Sequence, residues 1–239
     1  MWTASALASE LTAYAGTVWR VVEAQHRIST SRLGSSLAEQ HQLEALAEAV
    51  KPPLPAAALG LHYLLASPFR YGHAQASRFR RARERPGIFY ASEAEATAIA
   101  EAAYWRLRFF TRSPGFVPPA TTAEHSSFSV NIEAPRALDL TKPPFDASQA
   151  RWTDPQDYTA CQDFAREARI ADVQLIRTLS VRAPGGSCNV VVLDPAAFAA
   201  RVPKPGKTWH LRFEEGQLVA LAAFPSHQRF AFTAAGFGL

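Results

Sequence analysis

The stretch FRYGHAQASRFRRARERPGIFYASEAEATAIAEAAYWR, residues 69–106, decides the fold of this chain. It contains an arginine-rich segment, then a short apolar strand that ends in Tyr90, then an alanine-rich helix that carries Glu101. Ser92 and Glu95 have the S-x-x-E spacing of a capping box, which predicts that the helix begins here. A strand that leads directly into a helix, with cations before it and an acid inside it, is where we expect the chemistry.

The segments before this stretch are predicted to be mainly helical. Residues 3–15 and 36–50 have helical character, and 56–65 form a third short helix or a buried turn. Proline in the motif KPPLP ends the second helix because it lacks an amide donor. The one strand expected in this part is 17–23, TVWRVVE.

The segments after this stretch are rich in strands. A helix is expected at 157–170, with acids at its start and arginines at its end. The predicted strands are 128–132, 137–140, 174–181, 188–193, 207–212, 217–224 and 228–233. Because helices and strands do not alternate strictly, the fold class is α+β.

Composition narrows the class of protein further. The 239 residues can bury a sizeable core, and no apolar run is long enough to cross a bilayer. The N-terminus lacks the basic region of a signal peptide, so a reduced cytoplasmic setting is expected. Neither the two cysteines nor the spacing of the histidines suits a metal, and no phosphate-binding loop, nucleophile elbow or H-E-x-x-H motif is found.

A basic run precedes the strand. Between Arg70 and Arg85 six arginines face a single acid, Glu84, which favours binding of anions. The same pattern is typical of a solvated loop. It also allows a non-enzymatic module that binds an acidic partner or nucleic acid, although no nucleic-acid reader motif is found and direct nucleic-acid binding is not expected.

Glu101 stands on a helix that is apolar almost all round, which indicates a buried helix. A buried carboxylate needs a partner because an unpaired charge is costly there. Two interpretations follow. Glu101 is either the partner of a nearby arginine or a carboxylate that binds a ribose hydroxyl or stabilises positive charge in a substrate.

These motifs together resemble the RES-domain family, named for its Arg, Glu and Ser motifs. Ser77-Arg78-Phe79 resembles the first motif and Phe89-Tyr90-Ala91 the strand that follows it. Glu101 lies eleven residues after Tyr90, as in the family, and Ser180-Val181-Arg182 resembles the third motif, ahead of a Pro-Gly-Gly turn at 184–186. Phe69-Arg70-Tyr71 is similar to an Arg-Tyr pair that lines the pocket in some members.

The match departs from the family at the first motif. Ala76-Ser77 and Arg80 stand where a double glycine and an asparagine usually flank the arginine. The family spacing falls between Arg78 and Arg80, and the aromatic Phe79 favours Arg78.

The resemblance implies a toxin of a type II toxin–antitoxin module with an Xre-type antitoxin as partner. It implies one ADP-ribosyltransferase-like α+β domain, with a helical extension at 1–66 and an NAD+-binding core at 67–239. NAD+ would be the substrate, without a metal, and its nicotinamide–ribose bond would be cleaved. ADP-ribose would pass to a host protein such as ribose-phosphate pyrophosphokinase, with hydrolysis or phosphorolysis of free NAD+ as the alternative.

Elementary chemistry gives the motif residues roles in this reaction. A carboxylate stabilises an oxocarbenium-like state, and arginine forks suit the pyrophosphate. Tyrosines would stack on nicotinamide or cover the ribose, and Ser180 would hydrogen-bond the substrate; core packing and a backbone-bonded hydroxyl are the alternatives. The residues assigned to catalysis are Glu101, Arg78 and Tyr90. The residues assigned to NAD+ binding are Arg70, Tyr71, Arg78, Arg80, Tyr90 and Ser180.

Overall fold

The computed structural model describes residues 2–24, 36–112, 115–119, 121–183 and 185–239. Pro184 of the predicted turn lies outside these ranges, as do residues 113–114 beyond the central helix. The helices in the described part are α1 Ala4–Ser9, α2 Leu37–Ala49, α3 Tyr63–Arg70, α4 Glu95–Thr111, α5 Gln149–Trp152 and α6 Thr159–Ile170. The strands are β1 Thr12–Glu23, β2 Phe89–Ser92, β3 Ala123–Asp139, β4 Leu175–Leu179, β5 Cys188–Val192, β6 Lys204–Glu214, β7 Gln217–Ala222 and β8 Arg229–Thr233.

The strands form one mixed sheet, and the α+β class is confirmed. The order is β1-β2-β5-β4-β3-β6-β7-β8, and β1 pairs with β3 as well. Because β1 contacts β2 through Trp19 and Ser92, the five strands β1, β2, β5, β4 and β3 close on themselves. The remaining strands β6, β7 and β8 extend from the other edge of β3.

Three apolar clusters hold the helices on this sheet. One lies under α1, α5 and α6 and includes Trp152 and Phe164. A second lies inside the closed strands around Phe89 and Phe128. The third joins the Ile99, Ala103, Leu107 and Phe110 side of α4 to β6, β7 and β8. Helix α4 is therefore fixed by one face, and its other face carries Glu101.

Several elements differ from their predicted bounds. Strand β1 begins at Thr12, five residues before the predicted start, because it pairs with β3 along almost its whole length. The strands predicted at 128–132 and 137–140 are parts of a single strand, β3. Helix α3 spans Tyr63–Arg70 and includes Pro68, so it begins and ends later than the short helix predicted at 56–65. Among the residues described, no helix has the length and apolar character that crossing a membrane requires.

The capping box predicted at the start of α4 was wrong. Ala94 is the N-cap residue, and no side chain caps the helix. The Ser92 hydroxyl instead donates to Asn189 Oδ1 at 2.7 Å. The Glu95 carboxylate accepts hydrogen bonds from Ser127 at 2.6 Å and Trp209 Nε1 at 3.1 Å. The sequence pattern located the helix start, but cross-strand partners took both capping side chains.

Candidate active site

A cavity of about 580 Å³ lies between the start of α4, the closed strands and the segment 73–80. Its size falls within the range of small-molecule binding pockets. Register explains how polar groups reach it. Ser92, Asn189 and Thr178 lie opposite one another on β2, β5 and β4, so their side chains share one face of the sheet. Ser92 and Thr178 are both buried, at 2% and 1% exposure.

The Glu101 carboxylate is held by neutral donors. Its Oε1 accepts a hydrogen bond from the Ser180 hydroxyl at 2.7 Å and another from Asn189 Nδ2 at 2.6 Å. Ser180 Oγ in turn accepts hydrogen bonds from the backbone amides of Arg182 and Ala183, both at 3.2 Å. Within the described part of the chain, no Lys, Arg or His nitrogen lies within 4.0 Å of this carboxylate. The predicted alternative of a Glu–Arg ion pair is therefore not what the described residues form.

Arg20 lies in the same cavity and was not predicted. It stands on β1, one residue after Trp19, with its guanidinium carbon 4.8 Å from the centre of the Phe89 ring. Its Nη1 is buried without a hydrogen-bond partner among the residues described, and burial lowers the pKa of Arg20 to about 10. Thr178 Oγ1 is likewise buried and unpartnered there. Both groups suit polar atoms of a ligand, because native proteins seldom leave such groups unsatisfied.

The two candidate motif arginines have different surroundings. Arg80 is 4% exposed, and its guanidinium donates to the carbonyls of His73, Gln75 and Arg81. Arg78 Nη1 donates to the carbonyls of Trp152 and Asp154, and its guanidinium carbon lies 4.7 Å from the centre of the Tyr158 ring. Both side chains line the cavity.

Tyr90 fastens the segment that carries Arg78. Its hydroxyl lies 2.8 Å from Ser77 Oγ and accepts a hydrogen bond from the amide of Phe79 at 3.2 Å. Burial raises the pKa of Tyr90 to about 12, so its phenol is neutral near pH 7. The geometry favours a positioning role for Tyr90 over proton transfer.

Three predicted residues are not part of the cavity lining: Arg70, Tyr71 and Ser180, of which Ser180 contacts the lining residue Glu101. Arg70 forms an ion pair with Glu48 at 2.7 Å, and the Tyr71 ring lies beside that of His73, with ring centres 6.4 Å apart. The predicted binding roles of Arg70 and Tyr71 gain no support from this placement. In the basic run, Arg81 pairs with Asp163, so the run is not wholly a free basic surface.

Several lining residues were given no role in the prediction from the sequence. Arg182 is 8% exposed and its guanidinium carbon lies 3.6 Å from the centre of the Tyr104 ring. Tyr104 and Tyr158 also line the cavity. A polar residue in an otherwise apolar strand, as Asn189 is in CNVVVL, could have indicated a buried polar contact. The described residues include no cluster of His, Cys, Asp and Glu able to hold a metal ion.

The fold and the site thus define a mixed α+β protein with a partly open cavity, lined by apolar and polar residues, that contains a carboxylate. The family model described as RES domain matches residues 54–214, and the chain belongs to the RES-domain family. One similar solved structure is the crystal structure of the M. tuberculosis MbcT–MbcA toxin–antitoxin complex. Its matching chain is 12% identical, with a TM-score of 0.47, covering 97% of this chain and 94% of that chain. Comparison with curated proteins gives no match.

Proposed function

We propose that this chain is the toxin of a toxin–antitoxin module that binds NAD+ and breaks its nicotinamide–ribose bond. ADP-ribose then passes to a host protein, and an Xre-type antitoxin holds the toxin inactive. Membership of the RES-domain family supports the class of protein. One observation about the cavity carries the chemistry.

That observation is the presence of two opposite charges without ionic partners among the described residues. Within these ranges Glu101 accepts hydrogen bonds from neutral donors alone, and one Arg20 nitrogen is buried without a partner. NAD+ has the complementary pattern, since its nicotinamide ring is cationic and its pyrophosphate is anionic. Arginine forks bind phosphate oxygens bidentately. The cavity therefore suits a ligand that carries both charges.

The arrangement of Glu101 also suits the reaction. When the bond to nicotinamide breaks, positive charge develops on the ribose, and a fixed carboxylate stabilises that charge. Ser180 and Asn189 orient Oε1 without neutralising it. The nicotinamide leaves as a neutral base, and the acceptor oxygen or nitrogen forms the new bond to the ribose carbon. Arg78, held over Tyr158, and Arg20 would bind the pyrophosphate.

Release of nicotinamide from NAD+ tests this proposal. Wild-type protein should release nicotinamide, and Glu101→Gln should not, although it keeps the same circular dichroism spectrum. Absence of release by folded wild-type protein, with and without cell extract, together with salt-dependent binding to DNA, would favour the non-enzymatic basic module.

The acceptor is identified in the same assay with labelled NAD+. Label on a protein of the extract, with purified ribose-phosphate pyrophosphokinase as the first protein to try, supports transfer. Free ADP-ribose or its phosphate ester as the whole product would instead indicate water or phosphate as acceptor.

A further inference from the structure

A second chamber lies beside the cavity and shares two side chains with it. It has a volume of about 360 Å³ and is lined by Tyr104, Arg108, Arg182, Pro155, Gln156 and residues 237–239. Tyr104 and Arg182 line the main cavity as well. We call this space the Arg108–Arg182 chamber.

Two cations share one aromatic ring in this chamber. The guanidinium carbon of Arg182 lies 3.6 Å from the centre of the Tyr104 ring, and that of Arg108 lies 5.8 Å from it. Across the described ranges, no carboxylate lies within 4.0 Å of either guanidinium. Arg81 and Arg177, by contrast, each form ion pairs. Both cations attract an anion that enters the chamber, because the charges are opposite.

Both guanidinium groups keep donors for a ligand. Arg182 is almost completely buried, and its guanidinium makes one hydrogen bond within the described ranges, a long one of 3.4 Å to the Pro155 carbonyl. Arg108 donates from Nη1 to the Tyr104 hydroxyl at 3.0 Å. Since each guanidinium has five N–H donors, several directions remain open on both forks.

Asp154 and Asp157, the acids near the chamber, accept hydrogen bonds from backbone amides of their own turn. Asp154 accepts hydrogen bonds from the amides of Gln156 and Asp157, both at 2.8 Å, and Asp157 accepts one from Thr159. The positive field reaches Tyr158. Burial acts to raise the pKa of Tyr158, but the hydrogen bond with Tyr104 and the nearby arginine charges lower it overall.

We infer that the Arg108–Arg182 chamber binds a phosphate group next to the reaction cavity. Two arginine forks can donate hydrogen bonds to several phosphate oxygens at once. A single carboxylate has fewer oxygens and uses these donors less fully. The phosphate has two sources: a separate small phosphate compound, or a dinucleotide whose remaining parts occupy the main cavity. Phosphate binding does not depend on the proposed NAD+ cleavage, because it requires no reaction.

Calorimetric titration with inorganic phosphate in a chloride buffer tests the inference. Wild-type protein should bind phosphate, and Arg108→Gln should weaken this binding about tenfold, because one charge-assisted fork is lost. Arg182→Lys should weaken it as well, since lysine keeps the charge but not the fork. Arg106→Gln is the matched control. It changes an arginine of the same helix that lines neither space and lies 4.0 Å from Glu23, so phosphate binding should stay unchanged.

A second titration with ADP-ribose present distinguishes the sources. Phosphate binding that survives saturating ADP-ribose indicates a separate phosphate ligand. Competition between the two, with weaker ADP-ribose binding by Arg108→Gln, indicates the dinucleotide's own phosphate. The inference is overturned if wild-type protein binds no phosphate while ADP-ribose affinity is equal in wild type and Arg108→Gln. It is also overturned if phosphate binds equally to all variants. Loss of nicotinamide release in Glu101→Gln is a separate result that bears only on the proposed function.

Discussion

Two acidic sites lie only eight residues apart along the chain and have opposite surroundings. Glu93 forms two hydrogen bonds with Arg177, at 2.7 and 2.9 Å, and Arg177 also contacts Asp139 at 3.2 Å. Tyr14 donates to Glu93 as well. Glu101, at the second site, accepts hydrogen bonds from Ser180 and Asn189 and from no other residue in the described part of the chain.

The two surroundings distinguish charges that are paired within the fold from charges that can interact with a ligand. In the Glu93–Arg177 network, which comprises Tyr14, Glu93, Asp139, Thr141 and Arg177, each charge is met within the fold. In the Glu101 cavity, a carboxylate and the Arg20 guanidinium lie in one space without an ion pair between them. Changes in the network should therefore act on stability, whereas changes in the cavity should act on binding and catalysis.

The largest expected effect comes from removing the charge of Glu101. Glu101→Gln keeps the volume of the side chain, so the free energy of unfolding should change by less than about 1 kcal/mol. Nicotinamide release should fall by about a thousandfold or more, as when a preorganised electrostatic group is lost. Glu93→Gln is the control and should show the reverse pattern, with lower stability and normal release. Full activity in a soluble Glu101→Gln variant would remove the catalytic assignment.

Breaking the network should have the next largest effect. Arg177→Gln leaves Glu93 and Asp139 without their cation and should lower the free energy of unfolding by about 2–4 kcal/mol, less than for a fully buried pair. Urea unfolding measures the loss. Nicotinamide release per folded molecule should stay normal, and a large loss there would mean that the network also shapes the cavity.

This loss should depend on pH. Hydrogen bonds from Arg177 hold the pKa of Glu93 below its ordinary value. The pKa of Asp139 is also lowered, because its bonds to Thr141 and Arg177 outweigh the opposing effect of burial. Groups with a lowered folded-state pKa contribute stability above their unfolded pKa of about 4, and this contribution disappears as pH falls through the folded value. The stability difference between wild type and Arg177→Gln should therefore be constant near neutral pH and shrink below about pH 4.

A good part of this arrangement could be predicted from the sequence. The signals were local apolar patterns and motifs that follow one another in a fixed order and spacing. The strand into α4 and the bounds of α2 and α6 follow from apolar pattern and propensity over a few residues. Glu101, Tyr90, Arg78 and Arg80 were chosen by motif spacing, and all four line one cavity. Ser180, far along the chain, contacts Glu101.

The remaining parts depend on strand register, which no local pattern specifies. Arg20 was part of an ordinary β-prone stretch, and the pairing of β1 with both β2 and β3 brings that stretch to the cavity. Asn189 reaches Glu101 because it lies opposite both Ser92 and Thr178. Arg70 stood in a motif-like triplet, but its guanidinium meets Glu48 of α2 instead.

Arg78 and Arg80 lie in one segment but contact different groups, so one substitution should act mainly on ligand binding and the other on stability. Arg80→Ala removes three hydrogen bonds to backbone carbonyls and should lower the free energy of unfolding by about 2–3 kcal/mol. Arg78→Ala should weaken NAD+ binding more than Arg80→Ala does, by about tenfold if one phosphate contact is lost. Titration of the Glu101→Gln protein with NAD+ measures affinity without turnover. Equal or reversed effects would exchange the two arginines' roles.

The smallest expected effects allow the most direct comparison, because the same change, threonine to valine, can be made in the Glu101 cavity and in the Glu93–Arg177 network. Thr178 is 1% exposed and its hydroxyl has no partner in the described part of the chain. Valine has the same shape without the hydroxyl, so Thr178→Val should raise the free energy of unfolding by up to about 1 kcal/mol. Thr141 in the network donates to Asp139 at 2.6 Å and accepts from Arg177 at 2.8 Å. Thr141→Val should therefore lower the free energy of unfolding by about 1–2 kcal/mol.

Affinity should follow the opposite pattern to stability. If the Thr178 hydroxyl bonds the substrate, Thr178→Val weakens NAD+ binding by about three- to tenfold, since an uncharged hydrogen bond contributes about 1 kcal/mol. Thr141→Val should leave binding unchanged. A Thr178→Val protein that is less stable than wild type would mean that the hydroxyl is satisfied within the fold, and the cavity would then lose one of the groups that distinguish it from the network.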